Sequence, residues 1–452
     1  MLTSQENEIL TRVGPATPMG RMMRRFWLPV CTSAQLPEPD SDPLRAGLLG
    51  ESFVVFRDTA GQVGVLDERC IHRCASLALG RVEQGGIRCL YHGWKFAADG
   101  TVLDTPNNRN VRFRDRMRAP AFPVREAGGI VWTYIGPKNQ QPEFPHYAFI
   151  DGPDANRAVI RLNTPANYLQ LFEGGVDSSH VGILHSDQAN PTWMNEEFTP
   201  RDDEDFNPGA LASGDNAPAL EVEDTAFGFH YVAKREASAA ADGGQAHSIR
   251  VTPVLLPFVR IIPAPAFQFF VFEVPKSDTV TSTYIIAHGS KPIDRAEIIR
   301  IMGLREPFWN DTDCDFRATW ANGLGQERSR MRSNWTGFDG IEQEDAVIAI
   351  SMGPILDRTK EHMVAADRAV IHLRLRLLES VRRHEDGEQP IGLGVDLSGV
   401  RSLPDTVIRP DDRWQALVPG NVSASPAGAP GTPGTPARPA RPARPGALGA
   451  AS

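Results

Sequence analysis

The sequence predicts an α+β protein: a small all-β domain, then a domain in which a curved antiparallel sheet is wrapped by helices. Three observations predict it. From 48 to about 135, short apolar runs alternate with tight-turn signals, the pattern of strands and hairpins. From about 155 to 410, longer apolar runs are interleaved with segments of helical period. The most apolar window, 251–274, is interrupted by Pro253, Pro257, Pro263, Pro265 and Arg260. That excludes a spanning helix and reads as two buried strands, 254–262 and 267–274.

The elements follow in order. Residues 1–45 form an N-terminal segment with a short helix at 5–13, ended by Pro15, and a basic stretch at Arg21-Met-Met-Arg-Arg-Phe-Trp-Leu-Pro. The all-β domain is expected over 46–150. There Ser52-Phe-Val-Val-Phe and Val63-Gly-Val-Leu flank the turn Asp58-Thr-Ala-Gly, and Ile87-Arg-Cys-Leu follows Gly85-Gly86. Trp94-Lys-Phe meets Thr101-Val-Leu across Asp99-Gly100, a strong hairpin signal, and Ile130-Val-Trp-Thr-Tyr-Ile closes the domain. Over 155–410, helices are expected at 166–184 and 341–352, with strands at 220–235, 248–274 and 280–288 between them. A long helix at about 360–384 carries Met363, Ala366, Val370, Leu373, Leu377 and Val381 on one face. Residues 420–452 hold 7 Pro, 6 Gly and 9 Ala and include the repeat Ala437-Arg-Pro-Ala-Arg-Pro-Ala-Arg-Pro. Such composition cannot bury enough apolar area to offset ordering, so a disordered, solvated tail is expected.

Length and charge narrow the function classes. At about 150 residues per domain, 452 residues suggest three parts. With 47 basic and 56 acidic residues the net charge is −9, which argues against a nucleic-acid partner. Five cysteines, Cys31, Cys70, Cys74, Cys89 and Cys314, are too few and scattered for a disulfide scaffold. The start, Met1-Leu-Thr-Ser-Gln-Glu-Asn-Glu, is polar and acidic, unlike a signal peptide. A cytoplasmic protein with no membrane partner is expected.

Chemistry first appears at Cys70-x-His72 and, after sixteen intervening residues, Cys89-x-x-His92. Two loops each present one Cys and one His. Zinc accepts two Cys and two His, but zinc fingers keep the cysteines together and the histidines together on a helix. One of each per loop suits a [2Fe–2S] cluster with thiolates on one iron and imidazoles on the other. Rieske proteins of respiratory complexes resemble this pattern but add a disulfide between the loops. Here Cys74 supplies only one half, because Tyr91 stands where the other is expected. The cluster is therefore expected near the low end of the range, roughly −150 mV upward, and Cys74 is read as a packed thiol.

The second constellation runs from Asn167 through Asp177-Ser-Ser-His180 to His185. Two His and a nearby Asp suggest a mononuclear iron site of the two-His-one-carboxylate type. On a straight helix, five residues at ~100° each would put His180 and His185 roughly 140° apart, so the helix must end or bulge near Gly182. Asp177 falls about 60° from His180, better placed to hydrogen-bond an imidazole than to ligate.

With both motifs joined, and with Pro18-Met-Gly and Arg24-Arg-Phe-Trp-Leu-Pro-Val ahead of them, the chain resembles the large subunit of Rieske non-haem iron ring-hydroxylating oxygenases, most closely the phthalate dioxygenase branch. The match runs over nearly all of 1–410. The resemblance implies a Rieske [2Fe–2S] domain held by Cys70, His72, Cys89 and His92, then a helix-grip catalytic domain on which the N-terminal segment packs. It implies a mononuclear non-haem Fe(II) on His180, His185 and a later acid, carried to Asp345; spacing alone does not separate Asp345 from Glu344. It further implies a homotrimer or stacked trimers in which Asp177 bridges this iron to a neighbour's cluster. NADH would act indirectly, through a flavin- and ferredoxin-type reductase, since the chain has no dinucleotide fingerprint. Ile71 and Cys74 depart from the branch, which often has proline and glycine there.

The branch acts on aromatic carboxylates with O2, which makes an aromatic acid hydroxylated to a cis-dihydrodiol the expected reaction. Arg235 and Arg250 are candidate carboxylate anchors, with Ser179 as a hydroxyl donor. An O- or N-dealkylating monooxygenase would use the same metals. An electron carrier without catalytic iron is the alternative from another class, opposed by His180, His185 and the later acid.

Overall fold

The computed structural model describes residues 2–108, 110–186, 217–237, 246–264, 266–418 and 420. The expected tail lies outside the described residues apart from Gly420. The N-terminal segment forms α1 (Ser4–Thr11) and α2 (Pro18–Met23). A capping box starts α1, with the Thr3 hydroxyl accepting from Glu6 N and the Glu6 carboxylate accepting from Thr3 N. Thr17 caps α2, and Pro18 sits in its first turn, where the missing N–H costs nothing.

The all-β part comprises β1 (Leu28–Thr32), β2 (Leu44–Leu48), β3 (Glu51–Arg57), β4 (Val63–Asp67), β5 (Arg81–Glu83), β6 (Gly86–Arg88), β7 (Lys95–Phe96), β8 (Val102–Asp104), the short helix α3 (Val111–Arg114), β9 (Ala121–Phe122), β10 (Val124–Ala127) and β11 (Ile130–Thr133). They pair antiparallel in three sheets, β2-β3-β4-β9, β5-β6-β7-β8 and β1-β11-β10. The Asp58 turn closes as its carboxylate accepts from Ala60 and Gln62 N, and Gly61 takes a φ of 83°.

The larger part is built on β12 (Arg157–Thr164), α4 (Tyr168–Gly174), β13 (Ala219–Thr225), β14 (Gly228–Ala237), β15 (Ala246–Leu255), β16 (Val259–Pro263), β17 (Phe267–Ser277), β18 (Val280–Gly289), α5 (Arg295–Ile301), α6 (Ile341–Ser351), α7 (Arg368–Glu385) and β19 (Leu403–Ile408). The strands form one antiparallel sheet, β12-β18-β17-β16-β15-β14-β13, with β19 added on β15. The expected strand 254–262 is instead a hairpin, β15 ending at Leu255 and β16 starting at Val259. Pro257 has no N–H for a ladder, so the chain turns there. Residues 220–235 are likewise divided at Ala226 and Phe227.

Alternation along β17 sends Phe270, Phe272 and Val274 into the core shared with α1, α2, α7 and β11, and Val271 into a second core with α5 and α6. Trp132 of β11 meets Phe272 at 5.5 Å between ring centroids, which ties the all-β part to the sheet. The N-terminal segment is anchored on the larger part, because Tyr168 OH donates to Leu10 O and Asn167 Nδ2 to Thr11 O. The cluster part keeps its own core around Val54, Phe56, Leu77, Ile87 and Phe96. No helix among the described residues is long and apolar enough to cross a membrane.

Two helices differ from expectation. The amphipathic one starts at Arg368, not 360, because Asp367 Oδ2 accepts from Val364 N and closes a separate turn ahead of it. The helix expected at 166–184 stops at Gly174, and His180–Gly182 forms a separate 3-10 turn. Glycine pairs are poor helix formers, and a Cβ at Gly175 would overlap the guanidinium of Arg260.

The last turn of α4 is fixed by a buried ion-pair network. Glu173 accepts from Arg358 at 2.8 Å and from Arg374 at 2.6 Å, and all three side chains are buried. Burial alone would raise the Glu173 carboxyl, but the two guanidinia hold it below its ordinary 4.5. Its stabilisation is therefore present above pH 4.5 and lost as pH falls through the lower folded value. Glu173→Ala leaves the buried Arg358 without a carboxylate partner and Arg374 with Glu361 alone, and an unfolding titration is expected to show a loss of about 3–5 kcal/mol.

Candidate metal centres

Two β-turn loops of the all-β part present the first constellation. Each closes in the same way. Cys74 N donates to Cys70 O and Cys70 N to Ala75 O; Gly93 N donates to Cys89 O and Cys89 N to Trp94 O. The matching turn positions are left-handed, φ 56° at Cys74 and 72° at Gly93. Cys74 therefore does not pack: the left-handed turn throws its side chain outward, and it is exposed. The expectation of a packed thiol is corrected on that ground.

The loops bring Cys70 and Cys89 together in the core, with their thiols in contact and both 2% exposed. The His72 and His92 rings lie 4.4 Å apart, and His72 stacks on Trp94 at 4.8 Å. Burial, with Cys89 beside it, pushes the Cys70 thiol up to about 11, so a thiolate needs a cation there. His92 Nδ1 is buried with no hydrogen-bond partner. Two thiols and two imidazoles, one nitrogen of them orphaned, fit a [2Fe–2S] group.

The second constellation lies where the loop after α4 faces α6. His180 Nε2 stands 3.7 Å and His185 Nε2 3.2 Å from the same Asp345 Oδ1. One donor atom from each of the three lies within 4.8 Å of the others. The break at Gly174 and Gly175 permits this, since it frees both histidines from one helical axis.

Each imidazole carries a carboxylate on its far side. His185 Nδ1 donates to Glu344 Oε2 at 2.7 Å, and Thr336 Oγ1 donates to Glu344 Oε1 at 2.5 Å. Glu344, fully buried, thus orients His185 and fixes its tautomer, while its neighbour Asp345 faces both Nε2 atoms. Asp177 Oδ2 lies 3.5 Å from His180 Nδ1, and its Oδ1 accepts from Ser179 N. Within one chain Asp177 is half-buried. Burial would raise its carboxyl, but His180 and backbone amides hold it below its ordinary value. For His185 the balance runs the other way. Burial disfavours its cation, yet Asp345 and Glu344 raise it to about 10, which marks a pocket whose negative charge calls for a cation.

Arg235 is buried beside this loop, its Nη2 donating to Ser178 Oγ at 3.3 Å and its Nη1 3.8 Å from Asp405. Arg250 donates to Pro263 O at 3.4 Å and acts electrostatically on the same Asp405. The Ser179 hydroxyl is buried without a partner. Sequence reasoning passed over Arg260, which donates to Glu273 at 2.6 Å, lies under Gly175 and lowers the Asp345 carboxyl along with the two histidines. The available signal was a lone arginine inside the most apolar window of the chain.

Comparison with known proteins matches both parts of the chain. A family described as the Rieske [2Fe-2S] domain matches residues 26–122, and one described as LigXa C-terminal domain like matches 133–423. The chain is 36% identical over 400 residues to the phthalate 4,5-dioxygenase oxygenase subunit of Pseudomonas putida, covering 87% of this chain and 89% of that one. It is 34% identical over 420 residues to the 3-chlorobenzoate-3,4-dioxygenase oxygenase subunit of Comamonas testosteroni, covering 87% and 92%. The fold matches that of dicamba monooxygenase bound to dicamba with a TM-score of 0.55 at 17% identity, over 81% of this chain and 99% of that one. A Rieske domain joined to this catalytic domain, with near-full-length likeness to two oxygenase subunits, means that the chain belongs to the Rieske non-haem iron aromatic oxygenases.

Proposed function

We propose that this chain is the terminal oxygenase component of a multicomponent system that hydroxylates an aromatic carboxylate to a cis-dihydrodiol. The observation that carries the reading is the convergence of His180 Nε2, His185 Nε2 and Asp345 Oδ1, each imidazole backed by its own carboxylate. These three residues would hold the mononuclear iron, and Cys70, His72, Cys89 and His92 the cluster. The two centres together supply stored electrons and activation of O2.

The protein's own part is to position and protect. Glu344 keeps the His185 proton on Nδ1, leaving Nε2 free for a metal, while Asp177 Oδ2 stands 3.5 Å from His180 Nδ1, an attractive charge without a formed hydrogen bond. Arg235, which contacts Ser178 beside His180, and Ser179 are candidate anchors for a substrate carboxylate, with Arg250 further along the sheet. The relatives' names, phthalate and 3-chlorobenzoate dioxygenase subunits, support an aromatic acid as substrate. An NADH-dependent flavin and ferredoxin-type reductase would deliver the electrons. A homotrimer, single or stacked, would set the Asp177 of one chain against the cluster of the next.

A panel of aromatic acids given to the reduced protein with O2 tests the reading. Phthalate and halobenzoates are expected to yield cis-dihydrodiols, identified by mass spectrometry. Loss of a methyl group from methoxybenzoates, without ring dihydroxylation, would instead assign dealkylation. No product from any aromatic acid would reject an aromatic carboxylate as substrate. The cluster assignment has its own test. Cys89→Ser is expected to abolish the Rieske absorbance and EPR signal and to lower iron from about three to about one per chain. An intact cluster spectrum in that variant would reject Cys89 as a ligand.

A further inference from the structure

A cleft of about 800 Å³, lined by none of the candidate metal ligands, opens where four segments meet: the N-terminal segment, the linker near 139–147, the β15–β16 turn and the loop at 387–397. Trp27, Phe144 and Tyr147 line it, with the Trp27 and Phe144 rings edge to face at 5.4 Å. Its rim carries three exposed carboxylates, Glu143, Glu388 and Asp396. The basic groups of its walls are Arg25 and His146, and His146 is already paired with Asp151 at 2.6 Å. The cleft thus has an aromatic floor and an acidic rim, a surface suited to an extended cationic, proline-bearing chain.

The sequence contains one such chain. The repeat at 437–445 places arginine at 438, 441 and 444 and proline at 439, 442 and 445. A polyproline helix has about three residues per turn and rises ~3.1 Å per residue. A three-residue repeat wound on it puts all three guanidinia along one edge, roughly 9 Å apart, and all three prolines along another. The described chain also ends beside the cleft. Gly420 packs its backbone against Gly399, and two residues earlier Leu397 bridges to Tyr147, both of them cleft-lining. From there the residues at 421–436 span up to roughly 50 Å when extended, ample to return to the cleft.

We propose that the repeat at 437–445 is the occupant of this cleft, docked in cis with its arginine edge on Glu143, Glu388 and Asp396 and its prolines on the aromatic floor. This goes beyond the oxygenase reading and does not depend on it.

The test compares the full cluster-loaded chain, a chain ended at Gly420, and the full chain carrying R438E, R441E and R444E. A fluorescent peptide of residues 433–446 is the probe. It is expected to bind the shortened chain and the triple variant at least about tenfold more tightly than the full chain, whose own tail competes at high effective concentration. Adding E143K and D396K to the shortened chain should remove peptide binding. Backbone deuterium exchange at 139–146 and 387–397 should be faster in the shortened chain and the triple variant than in the full chain. Equal peptide affinity for all forms, no binding to any, or unchanged exchange would overturn the proposal. Cross-links from one chain's tail to another chain's cleft would also overturn docking in cis and assign the cleft to a second copy. Because the triple variant keeps every folded residue, a shortened chain that failed to fold would not remove the comparison.

Discussion

Asp345→Ala is expected to empty the mononuclear site and abolish oxygenation while the cluster keeps its absorbance and its reducibility. The geometry sets the size of the effect. Asp345 Oδ1 is the atom that both His180 Nε2 and His185 Nε2 face, at 3.7 and 3.2 Å. Without it, two imidazoles remain to hold the ion. Removing a partner that only orients a ligand costs about 10–100-fold in metal affinity. Loss of the ligand itself should exceed that, whereas Glu344→Gln, which reaches the site only through His185 Nδ1, should fall within it. Iron content after gel filtration and Fe(II) titration of the apoprotein measure both. Full iron and full turnover in Asp345→Ala would move the carboxylate role elsewhere. The cluster serves as an internal control, since its cysteines sit in a core of their own.

Asp177→Asn is expected to leave both metals bound and separately reducible yet to cut product formation by about two orders of magnitude or more, a loss larger than an orienting residue alone would give. Asp177 stands 3.5 Å from His180 Nδ1, on the side away from Asp345, and keeps a half-exposed face within the single chain. That open face is where a neighbouring subunit's cluster histidine would meet it. The amide nearly preserves shape and removes the charge that polarises the imidazole. Single-turnover product from the pre-reduced variant separates the roles. A collapse with intact iron and cluster spectra supports a bridge between centres; near-normal product confines Asp177 to orienting His180.

Much of the chemistry was legible along the chain because it depends on short spacings. Cys70-x-His72 and Cys89-x-x-His92 place one thiol and one imidazole on each of two turns, and local hydrogen bonds close those turns alike. The hairpin at Asp58 and the buried face of Leu373, Leu377 and Val381 follow from turn chemistry and helical period in the same way. Even Glu344 and Asp345 were visible as a pair of neighbouring acids.

Their division of labour was not visible, because adjacent residues on a helix point roughly 100° apart and only the packing of α6 against the His180 loop chooses which one faces the imidazoles. The place where α4 ends was decided in the same way. Gly182 was the break that angular reasoning favoured, but the chain breaks at Gly174 and Gly175, where the Arg260 guanidinium arrives from a strand some 85 residues away and leaves no room for a side chain. The outward-facing Cys74 and the hairpin inside 254–262 have local origins instead, in a closed left-handed turn and in a proline that ends a ladder. The sequence by itself determined which groups carry the chemistry and which short turns present them. Only the tertiary structure decided which face of each element those groups occupy, because burial, ion pairing and close approach depend on partners that are remote in sequence.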